Sequence, residues 1–479
     1  MEAEDPDYLC ALAFSLNDRN PDRRNVVDRP LKNGESKRAA VLDALARLLV
    51  HKGRDQVVAV GAGLNAGHVE FYVTENTAVS PLTVPHLHNI CTRLIDIRAT
   101  IQASPDHAAI LRTISSPVHL KADTAESAFA SLRGLQLSLV SHSIERIQAR
   151  FTKLHWPNKV DHVLTCIIGP PAKTRVDLSE RERRALEELQ ASTIVQLSVR
   201  QLGDAVQLIR ESIDQGSNYD VDKVRRACIA LATVVNTIPA HTMVSFDQFI
   251  FAYVNRIHEP PRKSPNMAKW LKKVSFVIAE YRSLLKILTT PSLSALFGDH
   301  VVIHSVVNRP PRRAFVTNLE IGNITTTFDD LGFNARNFKN IQDLVVEVAH
   351  LANHTKVKLV HCECALLCHL DQLGQAMLPY IGVSKLSCAF CDMYFDCYRR
   401  NKESEVRTRG TYGQTTAWMW PDLPDDGPIR TMFCRKLRLY LQERLEDAKA
   451  QSRASMDSQS TSASDDIEGV NDWMRLYED

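Results

Sequence analysis

The feature that most constrains this chain is a concentration of metal-binding residue types near its C-terminal end. Cys362, Cys364, Cys368, Cys388, Cys391 and Cys397 crowd into one segment, whereas Cys10, Cys91, Cys166, Cys228 and Cys434 are scattered. "VHCE" puts His361 and Glu363 two residues apart, and "YIGVSKLSCAFC" supplies a C-x-x-C pair, Cys388 and Cys391. His361 precedes Cys388 by 388 − 361 = 27 residues, room for one helix, "ECALLCHLDQLGQAM", and one short strand, "YIGVSKL". The spacing predicts a helix–strand–helix unit, with the His–Glu pair opening the first helix and the C-x-x-C pair opening the second.

In such a unit the three ligands meet at two helix N-termini. A helix N-terminus carries about half a positive charge and favours thiolate over thiol. One histidine and two cysteines suit tetrahedral zinc and leave its fourth position for water, whose pKa falls from about 15.7 to about 7 and gives a hydroxide nucleophile at neutral pH. Glu363, two residues past His361, is placed to shuttle a proton without itself binding metal. Hydrolytic base deaminases divide the labour in this way: hydroxide attacks an amidine-like ring carbon, the glutamate protonates the ring nitrogen, and ammonia leaves.

"VHCE…YIGVSKLSCAFC" resembles the zinc motif of the cytidine-deaminase-like superfamily, and most closely the Orientia-type deaminase-domain family widespread in fungal proteins. The resemblance runs from roughly Asp299 to Tyr440. It implies a three-layer α/β/α fold with a mixed sheet, one zinc ion held by His361, Cys388 and Cys391, and Glu363 as proton shuttle. Several superfamily members carry Ser or Thr four residues before the first cysteine of the pair, the place of Ser384. There is one departure: the superfamily pattern has proline directly before that cysteine, and here the residue is Ser387. Its carbonyl can still face a substrate amino group, but without a ring to lock the backbone.

Other readings stay open at this point. The same residues suit a catalytically inactive deaminase fold used as a zinc-stabilised interaction scaffold, although a scaffold has no use for Glu363. A closed structural site recruiting Cys362 or Cys364 is a third possibility. Cys364 and Cys368, one turn apart beside Leu367, read more simply as small core residues, as does Cys397. Downstream, "DMYFDCYRRNKESEVRTRGTYGQTTAW" mixes aromatic residues, Tyr412 among them, with Arg399, Arg400, Lys402, Arg407 and Arg409. Such a mixture grips phosphates and stacks bases, but Glu403 and Glu405 make it equally a solvated helix end. The expected substrate contacts are Ser384, Ser387, Arg399, Arg400 and Tyr412, and the expected partner is a nucleotide or single-stranded nucleic acid. A net charge of +2 does not itself demand a polyanion, and no protein partner is indicated.

With 479 residues, 44% of them hydrophobic, the chain is long enough for two or three domains of about 100–200 residues each. Residues 1–123 read as a small α/β region, with strands "QVVAV" and "HVEFYVT" between two helical segments. Residues 124–297 carry helical periodicity almost throughout. Residues 298–445 hold the strand-like "HVVIHSVV" and "RAFVTNLEI", the helical "IQDLVVEVAHLANH" and the zinc motif, and the Ser-rich tail 446–479 reads as mostly disordered. "VVAVGAGLNAG" mimics a dinucleotide-binding turn, but Gly61, Gly63 and Gly67 are spaced one residue too widely and lead into a strand, so a hairpin is expected. His68 and Glu70 spell a second H-x-E on one face of that strand, with no cysteine pair following. The acidic N-terminus has no basic n-region or long apolar run, and nothing approaches the ~20 apolar residues of a membrane span. These features predict an intracellular protein, cytoplasmic or nuclear, with reduced thiols and no membrane association.

Overall fold

The computed structural model describes residues 5–19, 27–28, 33–53, 55–65, 68–115, 127–172, 178–214, 219–238, 267–290, 293, 300–308, 320–333, 339–354, 359–374, 377–421, 423 and 426–461. Most of these are helical, and the strands form one small mixed sheet and a two-stranded ribbon. The chain divides into two compact units: residues 1–46, 57–84 and 300–478 in one, and residues 47–56 and 85–299, with Asp479, in the other.

The first unit is built on the expected hairpin. Strands β2 (Val58–Asn65) and β3 (His68–Glu75) pair antiparallel from Asn65↔His68 to Val58↔Glu75. Strand β4 (Val301–Ser305) joins β3 in parallel, and β5 (Gly382–Val383) joins β2 antiparallel, giving the order β4-β3-β2-β5. This corrects the expected boundary at residue 123, because the N-terminal hairpin is the centre of the sheet to which residues 301–305 and 382–383 add. Strands of five and two residues cannot bury a face alone and require a longer partner. A ribbon of β1 (Val27–Asp28) and β6 (Gly410–Thr411) lies outside this sheet.

The helix Cys362–Leu373 packs on β2 and β3. Leu366 and Leu370, four residues apart, cover Gly61, where an added Cβ would lie 3.5 and 3.0 Å from their methyl carbons. Gly61 therefore serves close helix–strand approach rather than a phosphate turn. Gly374, at φ +62°, ends this helix before the expected limit at Met377. On the helix Asn33–Leu48, the carboxylate of buried Asp43 accepts from Val383 N and Tyr380 Oη, both at 3.0 Å, and so fastens β5.

The tail also departs from expectation. Residues 446–461 continue the helix Gly427–Thr461, whose Ile429, Phe433, Leu437, Leu441 and Leu445 are buried. Once a packed helix has met the nucleation cost, each added residue costs little, and "AQSRASMDSQST" holds no Pro or Gly to stop it. Residues 462–479 lie outside the described residues, as does the expected strand "RAFVTNLEI" up to Leu319. Beyond it, Ile321 opens a helix, Ile321–Asp330.

In the second unit the described residues are helical apart from short connections. Capping is explicit at two starts: Ser179 and Glu182 form a reciprocal capping box, and Asp220 accepts from Lys223 N. His51, His86 and His142 meet in its interior, the last two stacked with ring centroids 3.5 Å apart. Among the described residues of both units, no helix is long and apolar enough to cross a membrane. All eleven cysteines are buried, and none is in a disulfide.

Candidate metal centre

The helix–strand–helix unit places its polar residues as helix caps. His361 is the N-cap of Cys362–Leu373, at φ −69° and ψ 143°, and Cys388 is the N-cap of Ala389–Lys402, at φ −74° and ψ 169°. Cys391 lies in the first turn of the second helix, where its N–H donates to Cys388 Sγ at 3.5 Å. Both helix starts thus face one point, and the field at their N-termini favours the thiolate.

There the three side chains converge. His361 Nδ1 lies 3.1 Å from Cys391 Sγ and 3.5 Å from Cys388 Sγ, and the two sulfurs are 3.5 Å apart. Among the described residues this is the group of His, Cys and acidic side chains whose ligand atoms cluster closely enough to hold a metal ion, all within 4.8 Å. The imidazole is oriented from behind, because Nε2 donates to Ala417 O at 3.2 Å with Thr416 Oγ1 at 3.4 Å. A proton on Nε2 leaves the Nδ1 lone pair for a metal, the usual outer support of a histidine ligand.

The electrostatics agree with this geometry. Burial opposes ionisation of Cys388, but hydrogen bonding from Cys391 and the charge of His361 outweigh it and hold the thiol well below its ordinary pKa. Burial likewise opposes charging of His361, yet the Cys388 sulfur, aided by Glu363 and Ala417 O, raises its pKa to about 9. Burial and the neighbouring Cys364 and Cys388 push Cys391 well above the ordinary thiol value. Cys388 and His361 thus each favour the other's charged form, and a metal ion held by the three groups would displace the protons they carry.

Glu363, 5% exposed, occupies the first helical turn, and its carboxylate accepts from Cys362 Sγ at 3.5 Å. Tyr412 borders the same space: burial drives its phenol well above the ordinary value, and the charges of Cys388, Cys391 and Glu363 add to the effect. Cys364 lies beside Cys391 but outside the convergent group, while Cys368 and Cys397 are core residues.

The remaining expected contacts fare differently. Ser387 is fully buried, its N–H donating to Gly410 O at 3.1 Å and its carbonyl accepting from Tyr412 N at 3.2 Å. Two ladder bonds to the β6 segment hold the backbone where a proline ring would, and proline would forfeit the first of them. Ser384 is committed to the sheet, with Oγ accepting from Val58 N and its own N–H donating to Val58 O, both at 2.9 Å. Arg399 and Arg400 sit in the last turn of their helix and pair with Asp396 at 3.1 and 3.2 Å. At about 1.5 Å rise per residue they stand some 15 Å or more along the axis from the Cys388 cap, so the fold does not bring them to the centre.

Several supporting residues escaped sequence reasoning. Asn76 Oδ1 accepts from Cys362 N at 2.9 Å, and Asn308 Nδ2 donates to Val360 O at 2.8 Å and to Glu75 O at 3.1 Å. These asparagines clamp the chain on either side of His361. The only local signal was that Asn76 directly follows a strand. Thr416 and Ala417 gave none.

Residues 360–422 match the model of the OTT_1508-like deaminase family. No curated protein and no solved structure matches the chain. The matched stretch contains His361, Glu363, Cys388, Cys391, Tyr412 and Ala417, so it is a deaminase-like domain whose His/Cys/Cys group could hold a metal ion.

Proposed function

We propose that this domain is a zinc-dependent hydrolytic deaminase acting on a nucleobase in a nucleotide or nucleic acid, on a three-layer deaminase fold. The observation that carries the reading is the convergence of His361 Nδ1 with the sulfurs of Cys388 and Cys391, with buried Glu363 in the adjoining turn and all four inside the deaminase match. The donor set fits zinc, since one nitrogen and two sulfurs leave a fourth position open. Zinc held there would lower the pKa of water in that position from about 15.7 toward about 7 and supply a nucleophile at neutral pH.

The chain's own groups do the rest. Ala417 O and Thr416 Oγ1 fix the imidazole. Glu363 takes a proton from the water and passes it to the ring nitrogen as the hydroxyl adds to the ring carbon, then carries the proton of that hydroxyl to the amino group, so that the C–N bond breaks, ammonia leaves and the ring carbonyl forms. Tyr412 forms a wall of the substrate space. The buried position of Glu363 favours the enzyme over a zinc-stabilised scaffold, which needs the ligands but not a carboxylate beside them.

The test is metal content by elemental mass spectrometry on wild type, Cys388→Ser, Glu363→Ala and Cys364→Ser, followed by ammonia release from nucleosides and oligonucleotides. Zinc at this centre lost in Cys388→Ser and retained in the other two, with release abolished by Glu363→Ala, is the expected result. Zinc lost on changing Cys364 would point to a closed structural site and overturn the reading.

A further inference from the structure

The second His-x-Glu of the sequence, on β3, faces the side of the sheet covered by the helix Cys362–Leu373. Glu70 is 12% exposed in its side chain, and its two oxygens are approached from opposite sides: His68 Nε2 lies 3.1 Å from Oε1, and His304 Nε2, on β4, lies 3.4 Å from Oε2. Tyr72 Oη donates to Oε2 at 2.5 Å and holds the carboxylate plane. His304 Nε2 is itself buried and makes no hydrogen bond, although the ring stacks on Tyr72 at 4.8 Å between centroids.

A buried ring nitrogen without a hydrogen-bond partner beside a carboxylate is a group that a bridging cation would satisfy. Two ligand atoms bound at about 2.0–2.1 Å to a tetrahedral ion lie about 3.3 Å apart, close to both nitrogen–oxygen separations here. We propose that His68, Glu70 and His304 form a second divalent-metal site, for zinc or a similar borderline first-row ion. Two imidazoles and a carboxylate are the donors such ions accept, and the Tyr72 hydroxyl supplies the outer hydrogen bond that orients the carboxylate ligand. Because the imidazoles face different oxygens, binding draws them together about Glu70. Their side chains are 34% and 43% exposed, so a rotamer change suffices. His300, its ring centroid 6.4 Å from that of His68, stands within reach as a further ligand.

This site is separate from the His361 centre. It lies beside the C-terminal half of the helix Cys362–Leu373, where His369 comes within 5.9 Å of Tyr72 between centroids, about 12 Å along the axis from His361 at about 1.5 Å per residue. It does not depend on deaminase activity.

The experiment is zinc stoichiometry on untagged full-length protein, by calorimetric titration of chelator-treated samples and elemental analysis after dialysis. The variants are Cys388→Ser, Glu70→Gln, His304→Ala and the double variant Cys388→Ser/Glu70→Gln, with circular dichroism to verify the fold. Two equivalents in wild type, one in each single variant and none in the double variant is the expected pattern. Loss confined to Cys388→Ser, with Glu70→Gln and His304→Ala unchanged, overturns the second site and leaves the first intact. Loss confined to Glu70→Gln and His304→Ala overturns the catalytic centre instead. His304→Ala is the less disruptive change, since His304 lies half-exposed on the edge strand β4.

Discussion

Replacing Gly382 by alanine tests how β5 presents the C-x-x-C helix to His361. A Cβ at this position would stand 2.3 Å from the carbonyl carbon of Leu42, 2.4 Å from its oxygen and 2.7 Å from Asp43 N. All three are backbone atoms of the helix Asn33–Leu48, so no rotamer relieves the clash, and helix and strand must part by about 1 Å to reach ordinary contact near 3.5 Å. Parting them weakens the bonds from Val383 N and Tyr380 Oη to the buried Asp43 carboxylate. Overpacking costs about 1–3 kcal/mol, and a strained or broken hydrogen bond to a charged group adds about 1.5–3 kcal/mol. Gly382→Ala is therefore expected to destabilise the first unit by about 2.5–6 kcal/mol. Because Gly382 lies six residues before Cys388, zinc affinity at the His361 centre should fall with it. The assay is urea denaturation with a tryptophan readout, paired with a zinc titration, and Gly322→Ala is the control because a Cβ there meets nothing within 4 Å. A loss below about 1 kcal/mol, comparable to ordinary surface substitutions, would refute the view that this glycine is required by close approach.

Three further outcomes are expected. Ser387→Pro removes the N–H bond to Gly410 O and the hydroxyl contact with Thr408; it should lower stability by about 1–3 kcal/mol, and an unchanged melting temperature would show that the ladder bond is dispensable. Asn308→Ala frees Val360 O and the end of β3 and should weaken zinc binding about 10- to 100-fold, as loss of outer support does, measured by competition with a chromophoric chelator. In the second unit, burial and the neighbouring imidazoles lower His86 to a pKa of about 2, and burial lowers His142 to about 4. The unfolded chain protonates both near 6.5, so the stability held by the neutral rings is complete above that pH and is lost progressively as pH falls toward the folded values. For His86 alone the loss reaches about 2 kcal/mol at pH 5, at about 1.36 kcal/mol per unit, and His86→Leu should flatten the denaturation profile between about pH 6.5 and 4.

What the sequence determined was local. The His361–Glu363 and Cys388–Cys391 pairs sit at helix starts because an N-cap, an apolar period and a C-x-x-C turn are written within a few residues of each other, and the helix–strand–helix order follows from the length between them. The hairpin of residues 58–75 and the helical texture of the middle were legible for the same reason. What the tertiary structure alone decided was where these pieces meet. The sheet joins residues 58–75, 301–305 and 382–383 through backbone hydrogen bonds, which carry no side-chain signature and leave no mark of which strand pairs with which. Asn76, bonded to Cys362 across 286 residues of sequence, and Ala417, acting through its carbonyl, support the centre for that reason without being readable from composition. Arg399 and Arg400 show the converse: nearness in sequence to a helix N-terminus is distance in space when the helix between runs straight, so they stand away from the His361 centre and pair with Asp396.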